Sequence, residues 1–235
     1  MSERTFDAFD PFADNYRSIH TQNVKLSGAD SFYFAEMKVR LLQEHETSVS
    51  QLQVLDVGCG DGATELFMLR HFPQWKVQGI DVSKKSIDAA LAKGLSNAAF
   101  TVYNGTDMPF DDNRFDVVFV AGVLHHVSFN LHKQLVNEIR RVLKPGGRLY
   151  LFEHNPLNPF TRYLVKTCVF DANARLLKSG YAVQLLEASR LLHTHKDFII
   201  FFPRKGLLSG LIFLEKLLKK VPLGGQYFIR AVKTT

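Results

Sequence analysis

The chain has 235 residues, 46% hydrophobic and 22% charged, a balance that suits one globular α/β domain with a full core, or such a domain with an added cap. Its start carries acids and no apolar run of signal-peptide length, and no uncharged stretch approaches the roughly 18 apolar residues of a membrane span. Two cysteines, Cys59 and Cys168, exclude a disulfide framework and a zinc knuckle, so the expectation is a reduced, cytoplasmic protein. The net charge of +6 divides unevenly, at −6 over residues 1–120 and +12 over residues 121–235. That asymmetry fits a C-terminal half facing something anionic, and equally fits lysines on solvated helix faces.

In chain order, residues 32–45 read as a helix of an N-terminal cap spanning 1–50. From residue 52, short apolar runs alternate with helical patterns. QVLDVG (53–58) is a strand and 63–72 a helix. KVQGIDV (76–82) is a strand, and Ser83 caps a helix that stops at Gly94. AFTVYN (99–104) and FDVVFVAG (115–122) are strands, and 129–143 is a helix with Leu131, Leu135, Ile139, Val142 and Leu143 on one face. KPGG (144–147) turns into a strand ending at Glu153, His154 and Asn155, after which Pro156 and Pro159 begin an excursion over residues 155–225. Within it, 180–188 reads as a helix and 196–202 as a strand. Residues 207–221 form an amphipathic helix with Leu207, Leu211, Leu214, Leu218 and Val221 on one side. Burial of that side against the sheet is favoured over contact with a membrane surface. GQYFIRAV (225–232) closes the chain as an antiparallel strand. The expected fold class is α/β, a doubly wound Rossmann-like sheet with a final antiparallel strand and an N-terminal helical cap, the main domain covering 51–235.

The most specific stretch is VLDVGCGDG (54–62). A strand ends in a turn whose Gly58, Gly60 and Gly62 permit positive φ and a close ligand. The spacing is G-x-G-x-G rather than the dinucleotide G-x-G-x-x-G, which argues against a nicotinamide oxidoreductase. Asp56 and Asp61 would repel a pyrophosphate but suit an ammonium and a sulfonium. With these residues the sequence resembles the class I S-adenosylmethionine-dependent methyltransferases over about residues 52–155. The resemblance implies S-adenosyl-L-methionine as cofactor and S-adenosyl-L-homocysteine as product. Asp56, Gly58, Cys59 and Gly60 then form the glycine turn, and Asp81, followed by Val82, meets the ribose hydroxyls. Asp107 lies near the adenine amino group with Thr106 and Met108 lining the ring, and Ala121 and Gly122 meet the methionine amino group. The FEHNPLNPFT stretch is similar to a subgroup of bacterial methyltransferases, in which a start like FDPFADNY (9–16) makes Tyr16 a lid residue over the cofactor. That subgroup implies a small-molecule acceptor from cell-surface sugar or secondary metabolism.

Methyl transfer is an in-line displacement at an activated carbon, so alignment and water exclusion carry much of it. A base is needed only where the nucleophile holds its proton firmly. The candidates are His125 and His126, one expected to pack and one to approach the site, and His154, the better base of the pair that ends the fifth strand. Glu153 is expected to bind an arginine or a backbone amide, with only one of the two facing the cleft. His193 and His195 lack a third ligand nearby, and no metal site is expected. The reading is O- or N-methylation of a small molecule, an anionic one suiting the basic half. No nucleic acid is expected, since no RNA-binding motif and no N/D-P-P-Y/F run is present. Methylation of a macromolecule and a non-catalytic cofactor-binding partner are the alternatives.

Overall fold

A computed structural model describes residues 29–47, 50–171 and 173–234. The first helix, α1 (Ser31–His45), is capped by Asp30, whose carboxylate accepts the Tyr33 N–H at 2.8 Å. The alternating order of the sequence follows: β1 (Gln53–Val57), α2 (Ala63–His71), β2 (Lys76–Asp81), α3 (Lys84–Leu91), β3 (Ala98–Val102), β4 (Phe115–Ala121), α4 (Phe129–Val142) and β5 (Leu143–His154). After β5 come α5 (Pro159–Thr167), α6 (Ser179–Ala188), β6 (Leu191–Ile199), a 3-10 run over Leu207–Leu214 leading into α7 (Glu215–Leu218), and β7 (Gln226–Lys233).

The strands form one sheet in the order β3-β2-β1-β4-β5-β7-β6. The first five pair in parallel, and β7 runs antiparallel between β5 and β6. Alternate residues of each strand feed opposite faces, as a pleated chain requires. Leu55, Val57, Val118, Val120, Leu149 and Leu151 meet α4 and α6 on one face. Val54, Val117, Phe119, Tyr150 and Phe152 meet α1 and α2 on the other. Strand order reverses between β1 and β4, which opens a crevice at their carboxyl ends. Because β7 is antiparallel, its first residues reach that same rim.

Three expectations are corrected. The strand placed at 196–202 runs from Leu191 to Ile199, so the HTH histidines lie within it. The double-proline loop contains a helix, α5, with Asn158 as its cap accepting the Thr161 N–H at 2.8 Å and Pro159 in its first turn. The helix expected over 207–221 is mostly 3-10, and none of its residues is buried. Both sheet faces are already covered by four helices, and Leu207–Leu214 is apolar all round, so no single stripe exists to dock. Leu207 is 97% exposed and Leu217 80%. Among the described residues no helix is long and apolar enough to cross a membrane.

Candidate functional site

A cavity of about 530 Å³ opens over the carboxyl ends of β1, β4 and β5. Its first wall is the glycine turn. Gly58, Gly60 and Gly62 all have positive φ, as the sequence predicts. A Cβ on Gly58 would stand 2.4 Å from Val123 Cγ2, so that glycine is fixed by packing. A Cβ on Gly60 would meet nothing within 4 Å, so there the open space belongs to the cavity. The turn is held from behind by Asp81, whose carboxylate accepts the Gly60 N–H and the Ser83 N–H, each at 2.9 Å. Lys93 binds the Asp61 backbone carbonyl and, at 3.1 Å, its carboxylate, so Asp61 does not present a bare charge.

Asp56, next to last in β1, is almost fully buried against the cavity. Burial raises its carboxyl to about 8, with the Asp81 charge adding to the effect. Glu65, in the first turn of α2, is fully buried beside it, and burial together with the Asp56 charge pushes it well up. From α1, Lys38 reaches the same space; burial lowers its ammonium to about 8 against the pull of Glu153 and Asp56.

The opposite wall is a chain of imidazoles and carboxylates. Glu153 is buried and accepts the Leu124 N–H at 2.8 Å and the Val123 N–H at 3.2 Å, while its other oxygen lies 2.6 Å from His125 Nδ1. The backbone-amide partner was expected; among the described residues no arginine pairs with Glu153. Burial would neutralise His125, but Glu153 and Asp171 lift it to about 10. Burial also favours protonated Glu153 and Asp171, yet the His125 cation holds both down, Asp171 to about 2. His126 is lowered to about 4 and His154 to about 3, by burial first and then by the charge on His125. Both are neutral near pH 7 and poor proton acceptors. Two expectations of division fail here. His125 and His126 both line the cavity from the 3-10 turn over Leu124–His126, and so do Glu153 and His154 at the end of β5.

The third wall is apolar. Phe34, Phe160, Leu164, Phe201, Phe202 and Leu208 come from α1, α5 and the segment after β6.

The remaining expected residues divide: three line the cavity, whereas Asp81, Val82, Thr106, Asp107 and Met108 are not among its lining residues. Cys59 lines the cavity, as do Ala121 and Gly122; Val82 is half-buried after β2. Thr106 and Asp107 form an exposed loop in which both Thr106 Oγ1 and Asn104 Nδ2 donate to Asp107 at 2.9 Å, and those bonds lower its carboxyl. Met108 is 3% exposed in the core, with its N–H donated to Glu138. Tyr16 lies outside the described residues. His193 and His195 take separate carboxylate partners: His193 pairs with Glu187 at 2.6 Å and His195 with Asp197 at 2.8 Å.

Lys38, Glu65 and Asp171 were not anticipated. Lys38 and Glu65 are charged residues in helical patterns, where a solvated face is the ordinary reading. Asp171 lies in an irregular segment that carries no pattern at all.

Comparison with known proteins agrees with this geometry. The family described as "Methyltransferase domain" matches residues 54–147. An uncharacterized methyltransferase, YcgJ of Bacillus subtilis, is 28% identical over 148 residues, covering 61% of this chain and 54% of that protein. A demethylmenaquinone methyltransferase of Tropheryma whipplei is 39% identical over 136 residues, 55% of this chain and 54% of its own. The chain spans about half the length of the curated relatives it matches. In fold, a Thermotoga maritima structure described as a SAM-dependent methyltransferase, possible histamine N-methyltransferase, superposes with a TM-score of 0.68 at 16% identity, covering 98% of this chain and 100% of that one.

Proposed function

We propose that the chain, similar in sequence and fold to S-adenosylmethionine-dependent methyltransferases, is a class I member of that group and methylates a small molecule with an apolar body and a polar nucleophilic end. The observation that carries the reading is the split character of the cavity: charged on the glycine-turn side and aromatic or aliphatic on the side of α5 and the segment after β6. Relatives named as demethylmenaquinone methyltransferases act on a small molecule, which supports an acceptor of that size.

The residues present fit the cofactor. Open space over Gly60, a buried acid at Asp56 and a carboxylate at the end of β2 are what a cationic nucleoside with a ribose diol requires. Gly58, Cys59, Gly60 and Asp56 would hold the methionyl end with Ala121 and Gly122. Asp81 and Val82 would hold the ribose, and Thr106, Asp107 and Met108 the adenine. S-adenosylmethionine supplies a methyl group already activated by its sulfonium. The chain's part is to bind, align and exclude water: α1 closes one side of the cavity through Phe34, Ala35 and Lys38, and α5 the other through Phe160 and Leu164. His154 is neutral and serves in this reading as a hydrogen-bonding wall rather than as a base.

Calorimetry with S-adenosylmethionine tests the first step, with a micromolar complex expected. No heat from the wild type, or affinity unchanged in Asp81→Ala, would sink the reading. A screen of acceptors with methyl-labelled cofactor tests the second. Transfer confined to peptides or RNA would replace the small-molecule acceptor with a macromolecule.

A further inference from the structure

The acceptor-side wall contains an arrangement that the methyl-transfer reading leaves unused. His125, His126 and Asp171 each present one ligand atom, and these atoms all lie within 4.8 Å of one another. Asp171 Oδ1 is 3.6 Å from His125 Nε2 and 3.4 Å from His126 Nε2. Those separations exceed a good hydrogen bond. They are close to the edge of a tetrahedron about an ion with ligands at roughly 2.0–2.1 Å, an edge of about 3.4 Å. The other face of His125 is already set: Nδ1 faces the Glu153 carboxylate at 2.6 Å, and that carboxylate is fixed by two backbone amides. A carboxylate behind one nitrogen, turning the other toward a shared point, is how proteins orient an imidazole for a metal. The partner segment is positioned too, since the Arg175 N–H donates to the His125 carbonyl at 2.8 Å and draws the stretch after Asp171 back onto the histidines.

We propose that His125 Nε2, His126 and Asp171 form a site for a divalent first-row transition ion, with Glu153 positioning His125. Two imidazoles and one carboxylate leave further coordination positions on the cavity side, the arrangement of a site that takes a ligand rather than a closed structural one. Binding exchanges the Nε2 proton of His125 for the ion, and the proton leaves to solvent. Resting on the methyl-transfer reading, the open positions assign the acceptor a chemical class: a molecule offering oxygen donors to the ion, such as a phenol or an enol beside a second oxygen. Coordination would lower the pKa of that hydroxyl.

The test uses the full chain, stripped with a chelator and titrated with Zn2+ alone, without cofactor or acceptor. A single equivalent bound at micromolar affinity or tighter is expected. His126→Ala and Asp171→Asn should each weaken it at least about 100-fold, and Glu153→Gln about 10–100-fold. Co2+ in the same site should give the intense visible absorption of a four-coordinate ion, lost in His126→Ala. His126 and Asp171 are both part-exposed, so these variants are expected to fold, and circular dichroism checks that they do. Wild-type uptake no greater than that of folded His126→Ala overturns the site, and so does uptake that survives both substitutions. Bound Zn2+ without methyl transfer would support the site while removing the reading in the preceding subsection. Full transfer by chelated, ion-free enzyme would overturn the role assigned to the ion.

Discussion

At the scale of single residues, the two central glycines of the turn separate packing from binding. Alanine at Gly58 must displace Val123 and adopt φ +77, which should cost about 3 kcal/mol in urea unfolding. Alanine at Gly60 has room and carries only the cost of φ +54, about 1 kcal/mol, yet its methyl stands in the cavity. Gly60→Ala should therefore unfold near the wild-type midpoint while losing at least about tenfold in cofactor affinity; equal loss of stability in both variants would refute the distinction. Asp56 gives the pH-dependent counterpart. Its carboxyl rises from an ordinary value of 3.8 to about 8 on folding, chiefly through burial. The folded state therefore binds a proton that the unfolded chain releases. Stability from this group is complete below pH 3.8 and is lost as pH climbs to about 8. Without cofactor, Asp56→Asn should flatten that decline and melt several degrees above wild type at pH 8, while binding S-adenosylmethionine more weakly. A wild-type melting temperature that rises between pH 5 and 8 more than that of Asp56→Asn would contradict the assignment.

At the scale of elements, the cavity depends on how α1 is tied to the sheet. Glu46, just past the end of α1, is buried and binds Arg148 at 2.5 Å and the Tyr150 hydroxyl at 2.6 Å, both on β5. Val39 and Leu42 on the same helix are fully buried. The C-terminal half of α1 thus belongs to the core, and its N-terminal half carries Phe34 and Lys38 over the site. Glu46→Ala leaves a part-buried guanidinium and a buried hydroxyl without their acceptor, and about 3 kcal/mol should disappear from the unfolding free energy. Glu46→Gln, which can still accept from Tyr150, should lose less; equal losses would show that packing rather than the hydrogen bond holds the helix. The elements from β1 to β5 were legible because each is a local pattern, apolar alternation or a 3.6-residue stripe ended by a cap. The segment after β5 was less so. Pro159 reads as a loop residue and proved to be the first residue of a helix, and the 207–221 stripe looked amphipathic although the sheet had no face left to receive it. Its fate was decided by competition for space, which no local pattern records.

At the scale of the whole molecule, part of the charge asymmetry is spent inside the fold, a use that neither sequence reading of it included. Lys144 pairs with Asp116, Arg148 with Glu46, Arg141 with Asp112 and Lys219 with Glu44, each bond joining the basic half of the chain to the acidic half. Four of the 18 cations of the basic half are thus matched to acids of the other half, and among the described cavity residues the lysine is Lys38, from the acidic half. The cofactor motifs were legible because they sit in consecutive turns of one rim. The histidine–carboxylate wall was legible in His125, His126, Glu153 and His154 but not as an assembly with Asp171, because it joins the turn after β4, the end of β5 and the segment after α5, which meet only in three dimensions. If the cross-half pairs help to hold the halves together, salt should weaken the fold through the exposed pairs and spare the shielded one. Arg141–Asp112 and Lys219–Glu44 are exposed on at least one side, whereas Glu46 is 4% exposed. The urea midpoint should then fall modestly between 0.05 and 1 M sodium chloride, by about 1 kcal/mol in all, because screening at 1 M acts over about 3 Å. Lys219→Ala should reduce that salt response, whereas Glu46→Ala should lower stability equally at both concentrations. A midpoint that rises with salt would mean that repulsion among unmatched basic groups dominates, and would return the C-terminal half to the role of an anion-binding surface.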